Sequence, residues 1–135
     1  MKAAHLFVYG TLRRRAGSAM YPLLARHAAF VGEASYQGVM YKVGRYPGVV
    51  PSRNSSDQVR GEVYRLRQPA LVLPQLDRYE QCRPDLPERA EYIRERQAVR
   101  LRNGKRLTAW VYLYNRPVER LPRVPSGDFL KAARR

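Results

Sequence analysis

The stretch YIRERQAVRLRNGKRLTAWVYLYN, residues 92–115, decides what kind of fold this chain forms. Apolar residues alternate with polar and charged ones, arginine most often, over 92–102, and 106–115 is rich in β-branched and aromatic residues, the pattern of two long strands. Asn103-Gly104 between them signals a hairpin, because both residues tolerate the positive φ of a tight reversal. Parity narrows the turn. A plain two-residue loop sets Leu101 against Arg106 and Arg100 against Leu107, which puts the apolar sets on opposite faces. Pairing Leu101 with Leu107 and Val99 with Ala109 restores one apolar face and requires a three-residue loop or a bulge.

Upstream, Val59 to Leu66 alternates as a further strand, with Val59, Gly61, Val63 and Arg65 opposite Arg60, Glu62, Tyr64 and Leu66. Ala34 to Val43 reads as a strand with Val39 and Tyr41 on one face and Met40 on the other. Gly44 to Gly48 reads as a turn, Val49-Val50 as a short resumed strand and Ser52 to Gln58 as a polar loop. His5 to Tyr9 is a buried strand ending at Gly10. Two helices are expected. One is capped by Ser18 and carries Met20, Leu24, Ala28 and Val31, with Pro22 in its first turn. The other runs from Pro69 to Tyr79, and Pro74 is expected to split it into short turns. Cys82 to Ala90 reads as an exposed connection, and 117–135 as a basic tail with three prolines and a frayed end. The whole is an α+β pattern in which antiparallel strands dominate and two helices pack on or plug a curved sheet.

A length of 135 residues fits one domain, 1–135. With 44% hydrophobic and 27% charged residues, it has ordinary globular composition. No apolar run suits a membrane span, and the N-terminus lacks the pattern of a signal peptide, so a cytoplasmic protein without membrane attachment is expected. The single cysteine, Cys82, excludes an internal disulfide and a multi-cysteine zinc site, and no metal or cofactor is expected. The 26 basic residues, 22 of them arginine, outnumber 11 acidic ones and give a net charge of +15. Nucleic acid is therefore the first partner to weigh. No aromatic ribonucleoprotein motif or basic helix-turn-helix accompanies the charge, so it is read as surface usage or as help for an acidic ligand.

Two segments carry the right chemistry for a site. Tyr9-Gly10-Thr11-Leu12 leaves a strand at a glycine, where consecutive amides form a nest for a carboxylate or phosphate; the plain alternative is an ordinary turn. It is neither a P-loop nor a dinucleotide fingerprint, since the further glycines are missing. In Leu76-Asp77-Arg78-Tyr79-Glu80-Gln81-Cys82, Glu80 follows an aromatic residue at a helix end. A carboxylate held against apolar surface suits proton exchange near neutral pH, whereas a solvated helix-end charge does nothing. Asp77, three residues earlier, either shares that helix face or points to solvent. Cys82, His5 and His27 have no partner pattern for catalysis and read as structural.

Taken together, these segments resemble the γ-glutamylcyclotransferase-like proteins, including the γ-glutamylamine cyclotransferase branch. The matching elements are Phe7-Val8-Tyr9-Gly10-Thr11-Leu12-Arg13 with Gly17, then Gly38-Val39-Met40-Tyr41 and Gly44-Arg45-Tyr46-Pro47-Gly48. They continue as Val59-Arg60-Gly61-Glu62-Val63-Tyr64, Leu76-Asp77-Arg78-Tyr79-Glu80, Tyr92-Ile93-Arg94, Ala109-Trp110-Val111-Tyr112-Leu113-Tyr114 and Ser126-Gly127-Asp128-Phe129. Their order is kept from about residue 6 to 129. The resemblance implies a small mixed, mostly antiparallel β-barrel with short flanking helices. It also implies a cofactor-free reaction on a γ-glutamyl amine or γ-glutamyl amino acid, forming 5-oxoproline. Glu80 would be the catalytic acid/base and the amides of Tyr9, Gly10, Thr11 and Leu12 the substrate cradle. Tyr114 and Arg94 are further pocket candidates, Arg94 alternatively pairing with an acidic neighbour across the sheet. Gln81 departs from the glycine that family members often carry after the glutamate. The alternative reading is a non-catalytic module of the same fold whose basic surface binds nucleic acid or an acidic partner.

Overall fold

The computed structural model describes residues 4–10, 21–79 and 90–130. Its elements run β1 (Ala4–Val8), α1 (Tyr21–His27), β2 (Ala28–Val43), β3 (Tyr46–Pro51), β4 (Gln58–Leu66), α2 (Pro69–Tyr79), β5 (Tyr92–Leu101) and β6 (Arg106–Tyr114). The sheet order is β3-β2-β4-β1-β6-β5, and β2 also pairs with β5. That last pairing closes five strands into a barrel, with β3 outside the ring as the hairpin partner of β2. Only β1 and β6 run parallel, meeting at Leu6 and Trp110; every other pair is antiparallel. The expected mixed, mostly antiparallel barrel with two short helices is what forms.

Alternation along the strands builds two cores. Phe7, Val59, Val63, Val99, Val111 and Leu113 pack with one another inside the barrel. Leu6, Val8, Tyr64, Leu66 and Tyr112 face the other way and are covered by Leu24 of α1 and Val72, Leu73 and Leu76 of α2. Each such aliphatic side chain, fully buried, contributes roughly 1.5–3 kcal/mol from removal of apolar surface. Because the helices roof the outer face of β4, Glu62 and Tyr64 are as buried as Val63.

Three local expectations are corrected. The first helix ends at His27, and Ala28 to Phe30 already pair with Leu66 to Tyr64 in the sheet. Val31, which looked like the next helical contact, is the extra residue of a β-bulge between Phe30 and Gly32 and is exposed. Apolar spacing alone does not distinguish a helix end from a strand start, and ladder pairing decides here. Second, Tyr46 to Pro51 forms a full strand beside β2, so the turn is confined to Gly44 and Arg45. Third, α2 is continuous despite Pro74. An interior proline costs about 3 kcal/mol, which burial of Val72, Leu73 and Leu76 offsets. Gln75 also donates its side-chain amide to the Leu71 carbonyl at 3.1 Å, beside the missing bond.

The hairpin does use a three-residue loop, Arg102–Gly104, with Gly104 at φ +91° and its N–H donated to the Leu101 carbonyl. Its register is one pair tighter than the expected Leu101–Leu107 and Val99–Ala109 match. Val99 faces Leu107, and Gln97 faces Ala109. Parity, and so the shared apolar face, is the same in both registers. Among the described residues no helix is long and apolar enough to cross a membrane.

Candidate active site

Because β1 and β6 run parallel and β5 runs against them, the end of β1, the end of β6 and the start of β5 share one end of the barrel. α2 leaves β4 at the opposite end and returns. Its 11 residues span about 16 Å at 1.5 Å per residue.

At the shared end, Tyr9 is buried and donates its hydroxyl to the Tyr112 carbonyl at 2.6 Å. Tyr112 in turn donates its own hydroxyl to Asp77 Oδ1 at 2.6 Å. Arg94 closes on the same carboxylate as a fork, Nε to Oδ1 at 2.8 Å and Nη2 to Oδ2 at 3.1 Å. Paired, two-bond contacts of this kind are among the stronger charge-assisted interactions, and they fix orientation as well as energy. The Arg94 guanidinium also lies over the Trp110 ring, 4.4 Å from its centroid. Asp77, only 5% exposed, therefore does not point to solvent. The acidic partner of Arg94 lies on α2, not across the sheet.

Gly10 comes against β3, where an added Cβ would stand 2.8 Å from Pro47 Cγ. Tyr92 donates its hydroxyl to the Pro47 carbonyl at 2.8 Å. Half-buried Tyr114 meets the Tyr92 ring edge-on, with centroids 5.5 Å apart, and backs onto Gly48. The structure thus brings Tyr9, Gly10, Arg94 and Tyr114 to one corner. Thr11, Leu12 and Glu80 lie outside the described residues, as do Ser18 and Cys82.

Sequence reasoning missed two residues here. Pro47, within the expected Gly44–Gly48 turn, packs on Gly10 and accepts the Tyr92 hydroxyl. Glu62, only 2% exposed, accepts the Tyr64 hydroxyl at 3.0 Å and sits opposite Val8 at the end of β1. Burial pushes the Tyr64 phenol well above its usual range, and the Glu62 charge and hydrogen bonds with Tyr21 and Glu62 add to this. A signal for Glu62 was present in the sequence: an acid on the same strand face as Tyr64 and Leu66.

Chemically, Asp77 is a fixing group. Its carboxylate accepts three hydrogen bonds, two from Arg94 and one from Tyr112, which hold α2 against β5 and β6. No three His, Cys, Asp or Glu residues gather as a metal-holding group among the described residues.

A closed five-stranded barrel whose first strand ends in Tyr-Gly, beside the buried tie of Asp77 to Arg94 and Tyr112, frames this corner. Residues 6–131 match the family described as "Gamma-glutamyl cyclotransferase, AIG2-like", and the chain belongs to that family. It is 34% identical over 125 residues to the "Gamma-glutamylcyclotransferase family protein YtfP" of Escherichia coli strain K12, covering 93% of this chain and 95% of that one. Among solved structures, an AIG2-like protein from Mus musculus is similar, with a TM-score of 0.67 and 25% identity over 96% of this chain and 95% of that one. YkqA from Bacillus subtilis superposes with a TM-score of 0.72 and 27% identity over 96% of this chain, which spans 40% of YkqA.

Proposed function

We propose that this protein is a γ-glutamyl cyclotransferase that converts a γ-glutamyl amine or γ-glutamyl amino acid to 5-oxoproline and the free amine or amino acid. The observation that supports this most directly is the anchoring of Asp77. Three residues before Glu80, the helix is pinned by the tie to Arg94 and Tyr112 at the barrel end where Tyr9 and Gly10 emerge. Glu80 is the acid/base in this reading, and Tyr9, Gly10, Thr11 and Leu12 form the cradle.

The chemistry asks little more of the protein. Glu80 takes a proton from the substrate α-ammonium, and the freed amine attacks the γ-carbonyl carbon to form the ring C–N bond. As the tetrahedral centre collapses, the bond to the leaving nitrogen breaks, Glu80 returns the proton to that nitrogen, and the second proton shed by the ring nitrogen passes to the departing amine, which leaves as the ammonium ion. The attacking group belongs to the substrate, so no protein nucleophile, metal or cofactor enters the scheme. Holding the chain folded supplies most of the advantage, since effective molarities of well-oriented intramolecular attack reach about 10⁵–10⁸ M. Main-chain amides after the first strand would bind the substrate carboxylate, and Tyr114 would wall the pocket. We read residues 1–135 as one catalytic domain. The lone Cys82 fits work in the reducing cytoplasm.

The test is 5-oxoproline release from a panel of γ-glutamyl amines and amino acids. Glu80→Gln keeps shape and loses proton uptake, so turnover is expected to drop by about 10²-fold or more with folding retained. Release at the wild-type rate by a pure Glu80→Gln preparation would sink the mechanism.

A further inference from the structure

The barrel closes at a narrow seam where β2 meets β5 through only two pairs, Ala34 with Leu101 and Ser35 with Arg100. Beside it lies a cavity of about 550 Å³, lined in part by residues 123–128. None of the residues gathered around Gly10 lines it.

Ser35 is paired twice, with Arg60 on β4 and with Arg100 on β5. Directly paired residues project from the same side of a sheet. Ala34 and Tyr36 are buried in the barrel core, so Ser35 and its two arginines project from the other strand face, and all three are among the residues lining the cavity. The two arginine stems stand two strand spacings apart, about 9–10 Å, with a hydroxyl midway. Long side chains at that separation can converge on one small ion above Ser35.

The cavity's carboxylates leave this pair available. Glu33 is bound by Arg102 at 3.0 Å, and Asp57 by Arg123 at 3.1 Å. Asp128 Oδ1 accepts the Leu130 N–H at 3.1 Å. Neither the Arg60 nor the Arg100 side chain has a hydrogen-bond or ion-pair partner among the described residues. The main chain of Arg60 is fixed, its N–H donated to the Gly127 carbonyl at 2.8 Å.

We infer that this seam cavity is a second binding site, separate from the cyclotransferase corner, that takes the phosphate group of a small molecule between Arg60 and Arg100 over Ser35. A tetrahedral dianion offers enough oxygens to accept a guanidinium fork from each side and the serine hydroxyl at once. A carboxylate is planar with two oxygens and so offers fewer acceptors to two opposed forks and a hydroxyl. The cavity volume admits a compact organic group behind the phosphate.

Inorganic phosphate and phenyl phosphate, titrated into the full-length protein at constant ionic strength, test the site. Binding is followed by calorimetry and by amide shifts in a two-dimensional NMR spectrum. Acetate serves as the comparison ion and Arg116→Gln, an exposed arginine away from the cavity, as the control variant. Wild type and Arg116→Gln should bind phosphate alike, with shifts centred on Ser35, Arg100 and Gly127. Arg60→Gln with Arg100→Gln should weaken binding at least about tenfold, and Ser35→Ala less. Phenyl phosphate binding more tightly than inorganic phosphate supports an organic phosphate as the ligand. The inference is overturned by no saturable phosphate binding, by equal binding of acetate, by equal losses in the control variant, or by shifts scattered over the surface. The wild-type shift map decides the matter even if the double variant does not fold.

Discussion

At Asp77 one side chain carries both stability and position, and the two roles can be separated. Asp77→Ala strands Arg94 beside Trp110 and removes the acceptor of the Tyr112 hydroxyl. Breaking a largely buried pair from one side costs about 3–5 kcal/mol, to be read as a lowered urea midpoint at unchanged slope. Tyr112→Phe deletes only one hydrogen bond to a charged acceptor and should cost about 1.5–3 kcal/mol. Asp77→Asn keeps the shape of the helix anchor while weakening the fork. If the tie positions the segment carrying Glu80, this variant should lose turnover under conditions where circular dichroism shows it fully folded. Full turnover in folded Asp77→Asn would reduce the tie to a structural brace. Gly10→Val places a branched side chain where Pro47 stands, 2.8 Å from the first added carbon. Its KM for a γ-glutamyl amine should rise severalfold while Thr11→Ala stays near wild type, because the cradle uses main-chain amides.

The β5–β6 hairpin is the element the sequence made most legible, and Gly104 is where its geometry is concentrated. At φ +91° an L side chain is strained even though open space surrounds the position. Gly104→Val should therefore destabilise the protein by about 1–3 kcal/mol, whereas exposed Arg106→Lys should leave the urea midpoint unchanged. Alternation could reveal which face of each strand is apolar, and parity could demand the odd loop. Neither could choose between registers two residues apart, because both present the same face. The α1–β2 junction was illegible for a different reason. Ala28 and Val31 fit a helical stripe, and only pairing of Ala28–Phe30 with β4, distant in sequence, makes them a strand. The continuity of α2 through Pro74 likewise depended on burial that no local rule reports. Within the candidate site, the Tyr-Gly exit from β1 was readable from residue type. The tie of Asp77 to Arg94 and Tyr112 was not, because it joins residues 17 and 35 positions apart across elements whose packing the sequence does not state.

Closure of the whole barrel hangs on the same seam that frames the second cavity, and its strength should be visible in alkali. Tyr36 spans the seam from β2, donating its hydroxyl to Gln97 Oε1 on β5 at 3.0 Å. Burial, with the nearby Glu95 charge, pushes its pKa up to about 12. Tyr64, under the helices, is pushed up as well, first by burial and then by Glu62. In the unfolded chain these phenols ionise near pH 10. Above pH 10 the folded state therefore holds protons that the unfolded state has released, and linkage makes stability fall as pH rises. The contribution is whole below pH 10 and is lost as pH climbs toward and through about 12. Net charge argues for the opposite sign. At +15, each tyrosinate formed relieves self-repulsion, so a barrel limited by charge would become firmer in alkali. Urea midpoints measured from pH 7 to 12 at fixed ionic strength separate the two. A plateau that breaks downward near pH 10 is expected, with a rise in tyrosinate absorbance accompanying loss of the β-sheet signal. Tyr36→Phe should begin less stable at pH 7, having lost the bond to Gln97, yet show a shallower alkaline fall. An alkaline fall as steep in Tyr36→Phe as in wild type would remove the phenol from the seam's pH dependence, and a rising midpoint would hand control to net charge.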